Sequence, residues 1–326
     1  MATIAQAKEE QRLAPAEAGQ LVTTWRRFRK HRLGLLGLTM LIVLIASCIF
    51  VPLFSAFTYD GINEAMPFQP AGSVSILNNH MYWIGTDEVG RDNLTRLFYA
   101  GRISLAVGLL TTIFVVIIGS LVGAFAGFYG SWVDTGLMRF VDLLLSLPVL
   151  PILLILSQMM NKSGVMDKIF GKGLGTVATI ILVLTLFGWL GLSRLVRGSI
   201  LSLRSLDFVE ASRALGASNR RIIMRHLMPN SAAPLIVAAT LAVGDFIILE
   251  AFLSFLGLGI QAPTPSWGNL LQGAQEYSSF ITDVNPLKEI RGFLILFPGF
   301  LILLTVLSIN FMGDALRDAL DPRLKM

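Results

Sequence analysis

Two carboxylates, Asp245 and Glu250, lie inside one long apolar stretch near 232–256. An ionisable group at membrane depth costs a few kcal/mol on insertion scales, so each requires a reason. Asp245 falls near the middle of its stretch, where a carboxylate either bonds to a neighbouring helix or lines a polar path; both readings stay open. Arg139 and Asp142, three apart, can share a helix face and suit an interfacial structural pair. Other chemistry is harder to assemble. His31, His80 and His226 fall in three separate segments without ligand spacing to Cys or acids, so no metal site is expected. There is no GxxxxGK[ST] run to cradle ATP. Gly257-Leu-Gly259-Ile-Gln-Ala262 fits GxGxxA by its letters but follows an apolar helix rather than a strand, which argues against a dinucleotide. No Ser/His/Asp arrangement follows from spacing, and no catalytic residue is expected. The lone Cys48, in an apolar run, reads as a packing residue.

The elements that hold these residues are set by composition. The chain has 326 residues, 54% hydrophobic and 14% charged; a soluble domain carries about 25% charged residues. Six stretches, near 33–57, 103–128, 137–160, 174–196, 232–256 and 293–313, reach the roughly 20 residues a spanning helix needs. The expectation is an all-α membrane protein with six transmembrane helices. The first stretch lies behind a polar leader and is too long for a signal h-region, so it reads as a retained anchor. Pro148 and Pro151 should bend the third span, and Pro298 the sixth. Gly119, Gly123 and Gly127 form two GxxxG steps on the second span, a strip for close helix packing.

Basic residues at the span ends give an orientation. Arg26, Arg27, Arg29, Lys30 and Arg32 place the N-terminus in the cytoplasm, and six crossings return the C-terminus there. Segment 194–225 should then be cytoplasmic, with Arg194, Arg197, Arg204, Arg213, Arg220, Arg221 and Arg225 against Asp207 and Glu210. Lys162, Lys168 and Lys172 in 161–175 run mildly against the rule. The net charge of +5 is thus a matter of membrane sidedness; no nucleic-acid partner is expected.

Between the fourth and fifth spans, residues 205–229 read as two short helices. Ser205 can cap the first and Gly216 end it, Ser218 or Asn219 can cap the second, and Pro229 closes it. Leu206, Val209, Leu215, Ile222, Ile223 and Leu227 mixed with basic residues make too small a core to stand alone. Such a hairpin needs a groove on another protein or a membrane surface.

The run Glu210-Ala211-Ser212 … Gly216 … Pro229 resembles the EAA loop of ABC importer permeases, with Ser212 in place of the motif's second Ala. Three further segments resemble the "C"-type subunit of the dipeptide/oligopeptide/nickel branch. They are Gly85-Thr-Asp-Glu-Val-Gly-Arg-Asp-Asn-Leu-Thr-Arg96 with Gly101–Gly108, Glu250–Gly259 with Pro263–Gly268, and Asn310–Arg323. The loops 161–175 and 276–291 look longer than usual for that branch.

The resemblance implies a type I importer fold with both termini cytoplasmic in the cell inner membrane. Its parts would be a cytoplasmic segment 1–32, a first span 33–57, an extracytoplasmic loop 58–102, a core 103–313 with a coupling loop 198–230, and a tail 314–326. It implies a second permease subunit, two ATP-binding subunits carrying ATP and Mg, and an extracytoplasmic substrate-binding protein. It also implies no cofactor in this chain. Glu210, Ala211, Ser212, Gly216 and Pro229 would receive the motor's motion; Asp245 and Glu250 would belong to the path or its gate, and Glu250, repeated in the branch, leans to structure or gating. Peptides are the expected substrate, with nickel or another small solute as the alternative. A different class, an ion-gradient-driven transporter using Asp245, stays open.

Overall fold

The computed structural model describes residues 20–278 and 285–320. Residues 1–19 of the expected segment 1–32 and the end of the tail, with Pro322 and Arg323, lie outside the described residues. Two helices lead in: α1 (Gln20–Phe28) and α2 (Arg32–Phe54). His31 caps α2, its Nδ1 accepting from the Gly34 N–H at 3.0 Å. A loop with one short antiparallel pair, β1 (Ser73–Val74) and β2 (Met81–Tyr82), precedes α3 (Asn93–Tyr129). Then come α4 (Ser131–Leu145), α5 (Val149–Ser163), α6 (Val165–Phe170) and α7 (Leu174–Leu203). α8 (Asp207–Ala214) is followed by α9 (Asn219–Arg221), a π-helical stretch Ile222–Leu227 and α10 (Met228–Asn230). α11 (Ala232–Phe255), α12 (Trp267–Ser278) and α13 (Asn285–Leu320) complete the order.

Among the described residues, five helices are long and apolar enough to cross a membrane: α2, α3, α7, α11 and the Leu294–Leu320 part of α13. The third expected span is a pair, α4 and α5, bent by 83° at a break that contains Pro148. At 15 residues each, neither half spans alone, since 1.5 Å per residue gives about 22 Å against a core of about 30 Å.

Packing decides what the pair does. α3 and α7 run parallel: Gly119 faces Leu192, Gly123 faces Ser193 and Val196, and Gly127 faces Ile200. Two successive parallel helices require the chain to return between them. α4 starts where α3 ends, with Asp134 bonded to Arg197, and α5 finishes at the other end, where the Asn161 amide donates to the Gly259 carbonyl at 3.1 Å. The bent pair is therefore the return crossing.

The other contacts fix the remaining directions. α2 is antiparallel to α3, with Cys48 beside Gly101 and Ser55 beside Thr95. α11 is antiparallel to α3, with Gly108 on Ile247. α13 is antiparallel to α2, with Gly34 on Ala315 and Gly37 on Ser308. The described chain consequently begins and ends on one face of the bundle, and segment 205–230 lies on that same face.

The glycine strip of α3 is the seam of this bundle. A methyl group at Gly123 would stand 2.4 Å from the Ser193 carbonyl oxygen, and one at Gly127 2.9 Å from that of Arg197. The strip of Gly119, Gly123 and Gly127 thus serves α7 of the same chain. Two loops expected from sequence contain helix: 161–175 carries α6, and 276–291 holds the end of α12 and the start of α13, with 279–284 outside the described residues.

Candidate coupling elbow and membrane carboxylates

Between α7 and α11 the chain makes an elbow. α8 begins at Asp207 with Leu206 in the cap position and no side-chain cap bond. Ser205, expected as that cap, stands one residue too early and turns its hydroxyl back to the Ser202 carbonyl. At the other end, Gly216 has φ +78°, its N–H donates to the Arg213 carbonyl (2.9 Å), and the Ala217 N–H donates to Ser212 (3.0 Å). That double bond pattern with a left-handed glycine is a Schellman termination. Ser218 caps the next turn by accepting from the Arg221 N–H at 3.4 Å.

Pro229 does not close the second helix as expected. The chain continues through α10 towards α11, and the turns ahead of Pro229 widen to π geometry, with the Met228 N–H reaching back to the Ile223 carbonyl. A proline offers no N–H to the carbonyl four residues back and crowds it, so a wider turn relieves the ladder locally.

Val209 seats the elbow. It is fully buried against Ala124 and Phe128 of α3, Val196 and Ile200 of α7, and Ile222, Ile223 and Leu227. Arg213 lies over the Phe128 ring, 5.5 Å from its centroid. The rest of α8 is open: Phe208, Glu210 and Ala211 are exposed, Leu215 is 89% exposed, and Ser212 is half-buried. Pro229 is exposed as well.

Behind the elbow, arginines of α7 and its C-cap bracket the seam. Arg197 holds Asp134 with two bonds of 2.5 and 2.6 Å, and Arg204 donates to the carbonyls of Gly127 and Phe128 at the end of α3. Arg194 pairs with Asp142. This corrects the expected Arg139–Asp142 pair: the carboxylate reaches across to α7 instead of along its own helix.

The two membrane carboxylates part company. Asp245 is exposed on α11, in a row with exposed Ile248, Phe252 and Leu256. Glu250 is fully buried. Its Oε2 accepts from Ser104 of α3 (2.8 Å) and its Oε1 from Ser254 (2.7 Å). Those hydroxyls in turn accept from the Trp267 N–H (3.2 Å) and the Ile260 N–H (3.0 Å). Trp267 is itself fully buried and donates its Nε1–H to the Leu97 carbonyl at 3.1 Å. One carboxylate therefore ties α3, α11 and the loop into α12 together, and sequence reasoning gave no sign of Ser104 or Trp267 as its neighbours.

The Gly85–Arg96 segment forms a cap at this same end. Gly85 and Gly90 have φ of +78° and +76°, and a methyl at either would meet backbone carbonyl oxygens of Gln69 or Asn63. Asp87 accepts from the Val89 and Arg91 N–H groups and from Arg91 Nε. Asp92 caps α3 through the Thr95 N–H (2.8 Å). Burial pushes the Asp92 carboxyl above its ordinary range, against the lowering pull of its Thr95 bonds. Glu88 is raised too, first by burial and then by neighbouring Asp87, with Arg91 opposing. His80 stands edge-on to Phe57, and His226 lies in the π-helical stretch, far along the chain from either.

Comparison with known proteins agrees with this architecture. Residues 119–326 match the family described as binding-protein-dependent transport system inner membrane component, and residues 19–71 match the N-terminal TM domain of oligopeptide transport permease C. The chain belongs to this family. The permease is 37% identical over 317 residues to the dipeptide transport system permease protein DppC of Alkalihalophilus pseudofirmus, covering 95% of this chain and 94% of that one. It is 33% identical to the oligopeptide transport system permease protein OppC of Bacillus subtilis, over 92% and 88% of the two chains. Among solved structures, an inward-facing MetNI methionine ABC transporter chain superposes with a TM-score of 0.50 at 20% identity, covering 69% of the permease and 96% of that chain. The permease thus has the type I importer fold and is an inner-membrane component of a binding-protein-dependent transport system.

Proposed function

We propose that the permease forms half of the path through which an ATP-driven importer moves peptides, and that its elbow receives the motor's motion. The observation that carries this reading is the two-sidedness of α8. Val209 is locked into the bundle while Phe208, Glu210, Ala211 and Leu215 stand open on the face that holds both described ends of the chain. A helix with one seat and one vacant side suits a groove on a partner. The face with the elbow is the cytoplasmic one, in keeping with its arginines. Two ATP-binding subunits engage it there, and the binding protein delivers substrate to the opposite face.

Peptides are the substrate class because the DppC and OppC relatives carry dipeptide and oligopeptide names. A second permease subunit supplies the other half of the path, facing the row of Asp245, Ile248 and Phe252. Glu250 acts by holding the outer end of α11 to α3, as a fixed point for that helix. The test is uptake of labelled peptide by the assembled importer carrying Glu210→Lys or Gly216→Val. Uptake should fall at least about tenfold, the effect of ~1.4 kcal/mol, with normal membrane insertion. Unchanged uptake in both variants would remove the elbow from the mechanism.

A further inference from the structure

Along the flank of the bundle runs an apolar groove that the proposed transport path does not use. Its lower part, about 650 Å³, lies between α3 and the segment after the elbow, lined by Ile117, Leu121, Phe125 and Tyr129 against Met224 and Met228. Its upper part, about 540 Å³, continues between α3 and α11, with Ile113 facing Ile236, Thr240 and Val243. The two share Val116 and Ile117, so they form one trough along the membrane axis.

We propose that this groove binds an anionic phospholipid, with an acyl chain along α3 and the phosphate on Arg220. Two observations point there. First, the groove turns away from the proposed path. At about 100° per residue, Ile236, Thr240 and Val243 lie roughly 140–200° around α11 from Asp245. If Asp245 faces the second permease, this flank faces lipid; the inference rests on that part of the proposed function.

Second, the charge matches. Arg220 lines the lower part, and Arg221 and Arg225 are exposed on the same segment. None of the three forms an ion pair with a carboxylate among the described residues; Asp207 and Glu210, the acids of the elbow, sit on α8. A guanidinium at the lip of an apolar trough, on the basic face of a membrane protein, suits a phosphate headgroup. Tyr129 stands at the same lip, stacked on Phe125, where an aromatic ring with a polar tip is at home.

The test uses the assembled importer in nanodiscs of phosphatidylcholine and phosphatidylglycerol in equal parts. After extraction, retained lipid is counted by mass spectrometry, and phosphatidylglycerol with a photoreactive acyl chain is cross-linked and mapped. Phosphatidylglycerol should be retained over phosphatidylcholine, with labels on α3 between Ile113 and Tyr129. Arg220→Glu should cut that excess roughly tenfold, as expected for one charge-assisted contact, and Arg220→Lys should keep most of it. Leu121→Trp, at a half-exposed position, should block the acyl label while the lip stays intact. Equal retention of the two lipids, an excess unmoved by Arg220→Glu, or cross-links from Met224 into an ATPase or second permease would overturn the proposal. Labels along Asp245, Ile248 and Phe252 would overturn the path assignment instead, and so separate the two failures.

Discussion

The two ends of the permease are built on opposite plans. At the end that carries Glu250, buried polar groups stitch elements distant in the chain: Ser104, Glu250, Ser254 and Trp267 form one connected set, and Asp87, Arg91 and Asp92 brace the loop before α3. At the elbow end, α8 rests on the bundle through Val209 and leaves most of its surface open. A connected buried hydrogen-bond network restricts the chain to one arrangement, whereas a thinly seated helix can tilt at modest cost. On the proposed function, force enters at the loose end and is resisted at the stapled one, with the α3–α7 seam as the rod between them.

The severest test strikes that rod. Gly123→Val would drive a β-branched side chain into the Ser193 carbonyl and should cost more than ~3 kcal/mol, seen as a collapse of the thermal midpoint and of folded yield. A normal midpoint would mean that the ends are not joined through this seam. Next, Glu250→Ala strips two serines of their acceptor inside the bundle and should cost about 3 kcal/mol, read as a lower midpoint. Glu250→Gln retains an acceptor and should lose less. Gly216→Val forces φ +78° on a branched residue, worth about 1–2 kcal/mol, and should disturb the elbow alone. Hydrogen exchange should quicken across 207–217 while the bundle midpoint holds; an equal drop in both would erase the contrast between the ends.

A smaller effect is expected from pH. Glu88 and Asp92 are raised above the ordinary carboxylate range. Their contribution to the cap is therefore fully present below that range and lost as pH rises through the raised folded values. Amides of 85–96, corrected for intrinsic rates, should exchange more slowly in mild acid than at neutral pH. Slower exchange at neutral pH would show that the ion pairs of Arg91 govern the cap instead. Least of all, Arg194→Ala removes an exposed pair with Asp142 and should shift stability by under ~1 kcal/mol.

Much of this architecture was legible because membrane depth writes itself in runs of apolar residues. Five of the six expected spans fall on one long helix each and the third on the bent pair α4 and α5, and the Gly216 stop and Ser218 cap follow from the φ tolerance of glycine and the reach of a serine hydroxyl. What escaped is what depends on partners far away in sequence. Pro148 promised a bend, but local sequence does not set its angle of 83°. Asp142 looked paired to Arg139 because local spacing is all a sequence displays, and Arg194 lies 52 residues further on. Glu250 and Ser104 are separated by 146 residues. The roles of Glu210 and Asp245 belong to surfaces that other subunits would complete.

The wide turns at Ile222–Leu227 hold the equivalent of one surplus residue in an otherwise α-helical approach to α11. Removing a single amino acid there would restore ordinary winding and leave everything upstream close to its phase on α11, because the widened turns already absorb the roughly 100° that the surplus residue adds. Val209 would then keep its socket, whereas the same deletion inside the regular turns of α11 would swing it off like a crank keyed to the wrong spline, even with every side chain of the elbow left in place.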